Sequence, residues 1–118
     1  MTNLIDKSEK IFIAGASGMA GGAIKRSLVK FGYGNPDCGG SLLTPSRKEL
    51  DCCDSLLVEK WFKQNKPSIV IIAAAKVGGI LANSTNPADF LLENIKIQTN
   101  LIESASRNGV KRLLLELI

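Results

Sequence analysis

Apolar positions along this chain alternate between two spacings. Lys10-Ile11-Phe12-Ile13-Ala14 and Ser68-Ile69-Val70-Ile71-Ile72-Ala73 are short runs with no polar face, as strands buried on both sides of a parallel sheet require. Between them the spacing lengthens. Ala23, Ile24, Leu28 and Phe31 recur at helical intervals and predict a helix from about Gly18 to Phe31. Ser41-Leu42-Leu43-Thr44 reads as a short second strand, after a glycine-rich loop from Gly32 to Ser41 that predicts no regular structure. Asp54-Ser55 opens a second helix through Leu56, Leu57, Val58, Trp61 and Phe62, closed by Asn65-Lys66-Pro67. Asn86-Pro87 supplies an N-cap and a first-turn proline for a long helix to about Arg107, and Asn108-Gly109 ends it. Val110 to Leu115 is the fourth strand. The order β-α-β-α-β-α-β with short links predicts an α/β fold: a parallel sheet with right-handed crossovers and helices on both faces.

Composition narrows the chemistry. At 118 residues the chain is one domain, read as a polar leader over 1–9 and a folded unit over 10–118. The net charge is +4, but Lys25-Arg26, Arg47-Lys48 and Lys111-Arg112 are dispersed and only six aromatics are present (four Phe, one Trp, one Tyr). That pattern is a solvated surface, and no nucleic-acid partner is expected. There is no histidine, so a zinc site or a His-based triad is nearly excluded. Cys38, Cys52 and Cys53 lack metal or redox spacing. No run reaches membrane-spanning length and no signal-peptide pattern opens the chain, so a cytoplasmic protein with reduced thiols and no membrane partner is expected.

The segment joining the first strand to the first helix carries the strongest chemical signal. Gly15, Gly18 and Gly21 stand at G-x-x-G-x-x-G spacing, with Ala16, Ser17, Met19 and Ala20 between them. Glycines alone mark ordinary turns. Between a strand and a helix, about 30 residues before another strand, the trio predicts a dinucleotide site of Rossmann-like, doubly wound type. Gly15 would allow the tight turn, Gly18 the approach of a pyrophosphate, and Gly21 close packing of helix on strand. After the second strand no acid follows at once. Instead come Ser46, Arg47, Lys48, Glu49, Leu50, Asp51 and Cys52. A carboxylate there would bind the 2′-hydroxyl of NAD; Arg47, beside Lys48, favours the 2′-phosphate of NADP. The duller alternative for Arg47 and Lys48 is a solvated basic turn. Asp51 and Asp54 either reach the adenine side or cap the second helix.

Phe12 to Gly21, Arg47-Lys48-Glu49-Leu50-Asp51, Ala73-Ala74-Ala75-Lys76-Val77-Gly78-Gly79-Ile80 with Ala82-Asn83, and Arg107-Asn108-Gly109-Val110-Lys111 together resemble the GDP-L-fucose synthase family. These are extended short-chain dehydrogenases/reductases, and the resemblance covers residues 10 to about 115. It implies NADPH-dependent conversion of GDP-4-keto-6-deoxy-D-mannose to GDP-L-fucose, with Gly15 through Gly21 on the pyrophosphate and Arg47 through Cys52 following the adenosine and its 2′-phosphate. Some members carry Arg where this chain has Ser17, and the Gly32–Ser41 loop is longer than in some bacterial members.

In that family the catalytic Ser, the Tyr-x-x-x-Lys pair and the epimerisation Cys and His follow the fourth strand, and no residue here matches them. The expectation is a Rossmann-like sheet ordered 3-2-1-4, incomplete at its C-terminus, with no catalytic residue, inactive alone, and with the fourth strand as an unpaired edge. The long helix has apolar residues on two sides: Leu91, Ile95 and Ile102 on one, Phe90, Ile97 and Leu101 on the other. A homodimer through residues 87–107 is one reading, and packing within a full-length subunit the other. A nucleotide sugar is the partner implied for the full-length family. The alternatives are a fragment of another nucleotide-sugar epimerase or dehydratase, or a non-catalytic dinucleotide-binding module.

Overall fold

The two runs without a polar face become the centre of a parallel sheet. In a computed structural model of the chain, residues 5–73 and 87–115 are described. They form β1 (Lys10–Ala14), α1 (Met19–Lys30), β2 (Ser41–Leu43), α2 (Ser55–Asn65), β3 (Ile69–Ile72), α3 (Pro87–Arg107) and β4 (Arg112–Leu115). Every element predicted from the spacing is present. The loop from Gly32 to Ser41 is not wholly irregular: Pro36–Cys38 forms a single 3₁₀ turn, started by the Asn35 side chain accepting from the Asp37 amide. The segment Ala74 to Ile80 with Ala82-Asn83, the N-cap Asn86 and the Phe90 side chain lie outside the described residues.

The strand order is β2-β1-β3-β4, all parallel, which corrects the expected 3-2-1-4. The third strand lies against β1, in register Ile11 to Ile69 through Ala14 to Ile72, rather than outside β2. Burial explains why. All four residues of β3 are buried, whereas β2 has three residues and none is fully buried. A strand with two apolar faces lowers the free energy most at the centre of a sheet; a short half-exposed one suits an edge. The α/β class and the edge position of β4 stand as expected. Leu113 and Leu114 of β4 remain exposed.

Because the first crossover runs from β1 to one side and the second returns past β1 to the other, right-handed connections put α1 and α2 on opposite faces. Strand alternation divides the core accordingly. Ile11, Ile13, Ile69 and Ile71 face α1, where Ile24 and Leu28 cover them. Phe12, Ala14, Val70 and Ile72 face α2 and α3, meeting Val58, Phe62, Ile97, Leu101 and Ala105. Phe12 is the pivot of that second layer, with its ring centroid 4.3 Å from Trp61 and 5.7 Å from Phe62. On α3, Ile97 and Leu101 point inward while Leu91, Ile95 and Ile102 are exposed, the two-sided pattern read from the sequence.

Polar groups fasten α2 to α3. Ser104 Oγ, on a buried residue, donates to Glu59 Oε2 at 2.7 Å, and Asn108 Nδ2 donates to Glu59 Oε1 at 3.2 Å. These donors, the Ser104 hydroxyl foremost, hold the Glu59 carboxyl below its ordinary value of 4.5. A carboxylate with a depressed folded-state pKa adds stability above its unfolded value and loses it as pH falls through the folded value. Denaturant midpoints measured from pH 6 down to pH 3 should therefore fall for the parent chain. Glu59→Gln should start lower at pH 6 and fall less, since Gln cannot titrate.

Candidate functional site

Where β1 leaves the sheet, the chain turns through Gly15 with φ +84°, a conformation that side chains disfavour. The Gly18 amide then bonds to the Gly15 carbonyl at 3.0 Å, and α1 begins at Met19 with Gly18 as its N-cap. Gly21, one turn in, lies so close to the strand end that a Cβ there would overlap the Gly15 carbonyl oxygen. This is the tight packing of helix on strand that the glycine spacing predicts. No side chain caps α1 and its first turn holds no acid. The N-terminal amides and the positive end of the helix dipole are thus left for an external acceptor. The start of α2 differs: Asp54 Oδ1 accepts from the amides of Leu56 and Leu57, which resolves Asp54 as a cap.

Those amides open into a cleft of about 920 Å³ across the C-terminal ends of β1, β2 and β3. It lies above β1, between the β1→β2 and β2→β3 crossovers, the position at which open α/β sheets take ligands. Gly15, Ala16, Ser17, Gly18, Met19 and Ala20 form one wall, and Gly21 is buried behind them. Met19 is 93% exposed at the rim. The other wall contains Arg47, Leu50, Asp51 and Cys52, with Thr44, Pro45 and Ser46 before them.

Besides the buried Gly21, two members of the predicted set do not line the cleft. Lys48 is exposed away from it, and Glu49 is spent on its own turn. There the Glu49 amide donates to Ser46 Oγ while the Ser46 amide donates to Glu49 Oε1, both at 3.2 Å. Asp51 Oδ1 accepts from the Cys53 amide at 3.0 Å. The Cys52 thiol is pushed up to about 11, first by burial and then by the Asp51 carboxylate, so it stays protonated and unreactive near neutrality.

Ala73, at the start of a segment that the sequence singles out, lines the cleft, whereas Lys25, Cys53, Glu93 and Ile97 line it without having been picked as site residues. Glu93 is the consequential one. Its Oε1 accepts from Arg47 Nη2 at 2.6 Å, so Arg47 is not the free basic residue of a solvated turn. The signal was faint: Glu93 stands four residues before Ile97 and eight before Leu101, a charged residue in register with the buried stripe of α3.

A parallel sheet with uncapped helix amides over a glycine turn at its crossover point defines a dinucleotide-binding α/β protein. More narrowly, the chain belongs to the NAD dependent epimerase/dehydratase family, whose model matches residues 11–115. It is 49% identical over 114 residues to GDP-L-fucose synthase 1 of Arabidopsis thaliana, covering 97% of this chain and 33% of that protein. Against GDP-L-fucose synthase of Escherichia coli K12 it is 42% identical, covering 90% of this chain and 31% of that protein. A solved structure of a Campylobacter jejuni GDP-mannoheptose C4 reductase with NADP bound superposes with a TM-score of 0.84 at 38% identity, covering 94% of this chain and 33% of that one. The chain therefore spans about a third of the length of the curated relatives it matches.

Two outcomes follow from the geometry. Gly21→Ala forces a methyl onto the Gly15 carbonyl and should cost about 1–3 kcal/mol in urea unfolding, through displacement of α1. In timed alkylation at pH 8, exposed Cys38 should react at least about tenfold faster than Cys52, and full unfolding in guanidinium should remove the difference.

Proposed function

We propose that this chain is the NADP(H)-binding part of a GDP-L-fucose synthase-like enzyme. The observation that carries the reading is the pairing of two anion-binding features across one cleft: the uncapped amides of α1 on one wall and the Arg47 guanidinium on the other. The residues present fit a phosphorylated dinucleotide. Gly15 to Ala20 accept the pyrophosphate against backbone N–H groups, with Gly18 leaving room for close approach and Gly21 holding the helix in place behind them. Asp51 and Cys52 border the adenosine, and Leu50 closes its floor. Arg47 takes the 2′-phosphate through charge-assisted hydrogen bonds.

When bound, the coenzyme supplies the hydride for reduction of a sugar ketone. This chain's own residues do the holding and orienting. Ketone reduction also needs a proton donor beside the developing alkoxide. The only tyrosine, Tyr33, has Asp37 rather than Lys four residues on, and it packs under α1 on the sheet face opposite α2 and α3. The activity assigned to these 118 residues is coenzyme binding. Conversion of GDP-4-keto-6-deoxy-D-mannose to GDP-L-fucose is proposed for the whole protein, with a GDP-sugar as its partner. The 38% identity to a GDP-heptose C4 reductase favours a second reading, in which the same coenzyme site serves reduction of a different GDP-sugar. A homodimer through the outward apolar face of α3 and a cytoplasmic setting with free thiols complete the proposal.

Calorimetric titration of the chain is the test. NADPH should bind more tightly than NADH, and Arg47→Ala should weaken NADPH about tenfold while leaving NADH unchanged. Equal affinities in the parent chain would refute the assignment to Arg47.

A further inference from the structure

The guanidinium that reads the coenzyme is itself held. Arg47 is 70% exposed at the lip of the cleft, while its partner Glu93 is only 26% exposed on α3. One end of the pair is thus anchored in the helix layer and the other reaches from the loop. On the same face of α3, two turns further on, Asn100 Nδ2 donates to the Cys52 carbonyl at 2.9 Å. Between Leu43 and Ser55 the chain has neither strand nor helix, and it supplies much of the adenosine wall. The long helix fastens this segment at both ends, at Arg47 and at Cys52.

We propose that Glu93 is a positioning residue for coenzyme discrimination: it holds Arg47 in one orientation, so that the donors not engaged by Glu93 are ready for a 2′-phosphate. The proposal rests on the coenzyme reading above and adds a residue from a different element to it. Two effects oppose each other. A carboxylate near the 2′-phosphate repels it, and an arginine fixed in advance loses less side-chain freedom when it binds. The repulsion acts across a solvent-exposed lip, where water and salt screen it. The Arg47–Glu93 bond that restricts the side chain is made in direct contact at 2.6 Å and is screened less. Pre-positioning therefore outweighs repulsion, and Glu93 favours the phosphorylated coenzyme. An arginine has five N–H donors, so serving the carboxylate does not exhaust it.

The test is a double-mutant cycle read in two ligands. The parent chain, Glu93→Ala, Arg47→Ala and the double variant are titrated with NADPH and with NADH; Glu93→Gln is included as the milder change. Glu93→Ala should weaken NADPH by about two- to tenfold and leave NADH as in the parent. Glu93→Gln should fall between, because an acceptor remains. In the Arg47→Ala background, Glu93→Ala should no longer weaken NADPH. NADH binding is the internal control for folding, since a disturbed cleft would weaken both coenzymes together. An equal loss for both ligands, no change in either, or an additive effect in the Arg47→Ala background would overturn the proposal. Tighter NADPH binding by Glu93→Ala would overturn it as well, by making repulsion the larger effect. If Arg47→Ala removes the preference for NADPH but Glu93→Ala does not, only the role of Glu93 falls. If the parent chain shows no preference at all, the Arg47 assignment and this proposal fall together.

Discussion

The approach of α1 to the end of β1 is the contact on which the rest of the molecule depends. With no side chain at Gly21, the first turn of the helix rests against the Gly15 carbonyl, and the positive φ of Gly15 lets the chain turn sharply enough to bring it there. That one packing relation fixes three things together. It seats Ile24 and Leu28 on the isoleucines of β1 and β3, and it sets the angle at which α1 leaves the sheet. It also leaves the helix amides facing a cleft instead of a side-chain cap. A larger residue at either position would disturb fold and site alike.

The sheet order explains why the cleft has two unlike walls. β1 lies between β2 and β3, so the crossovers β1→β2 and β2→β3 run on opposite faces and a crevice opens above it. The wall built from the β1–α1 turn and α1 is mostly backbone, glycines, alanines and amides, with Lys25 as its charged side chain. The wall after β2 is made of side chains, and its turns are tied locally by Ser46 with Glu49 and by Asp51 with the Cys53 amide. Under the proposed coenzyme reading, the first wall takes the diphosphate of any dinucleotide, and the second distinguishes one coenzyme from another. The division of labour follows from which crossover each wall belongs to.

The long helix connects the layers. Its inward stripe closes the core through Ile97 and Leu101, and its buried Ser104 supports the Glu59 carboxylate of α2. Toward its N-terminal half, Asn100 and Glu93 reach the segment beyond β2. A single helix thus braces both the hydrophobic layer and the lip of the cleft. Its other face, with Leu91, Ile95 and Ile102, stays open to solvent, as do Leu113 and Leu114 on the edge strand. Leu113 and Leu114 lie on the sheet edge opposite β2.

The chain's own pattern was sufficient for the local structure. Two runs without a polar face, helical spacing of apolar residues, a proline at a helix start and glycines at the turns placed four strands and three helices within a residue or two. The glycine spacing located the backbone wall for the same reason, since a tight turn and a close helix approach each demand a missing side chain. What the pattern could not supply was the choice of neighbour. Strand order follows from competition between β2 and β3 for the buried centre, a comparison of whole faces that no window of sequence contains. Pairings such as Arg47 with Glu93, and Glu59 with Ser104, join residues more than forty positions apart. They form because the crossovers bring α2, α3 and the lip of the cleft together, so only the folded chain determined which charges would meet.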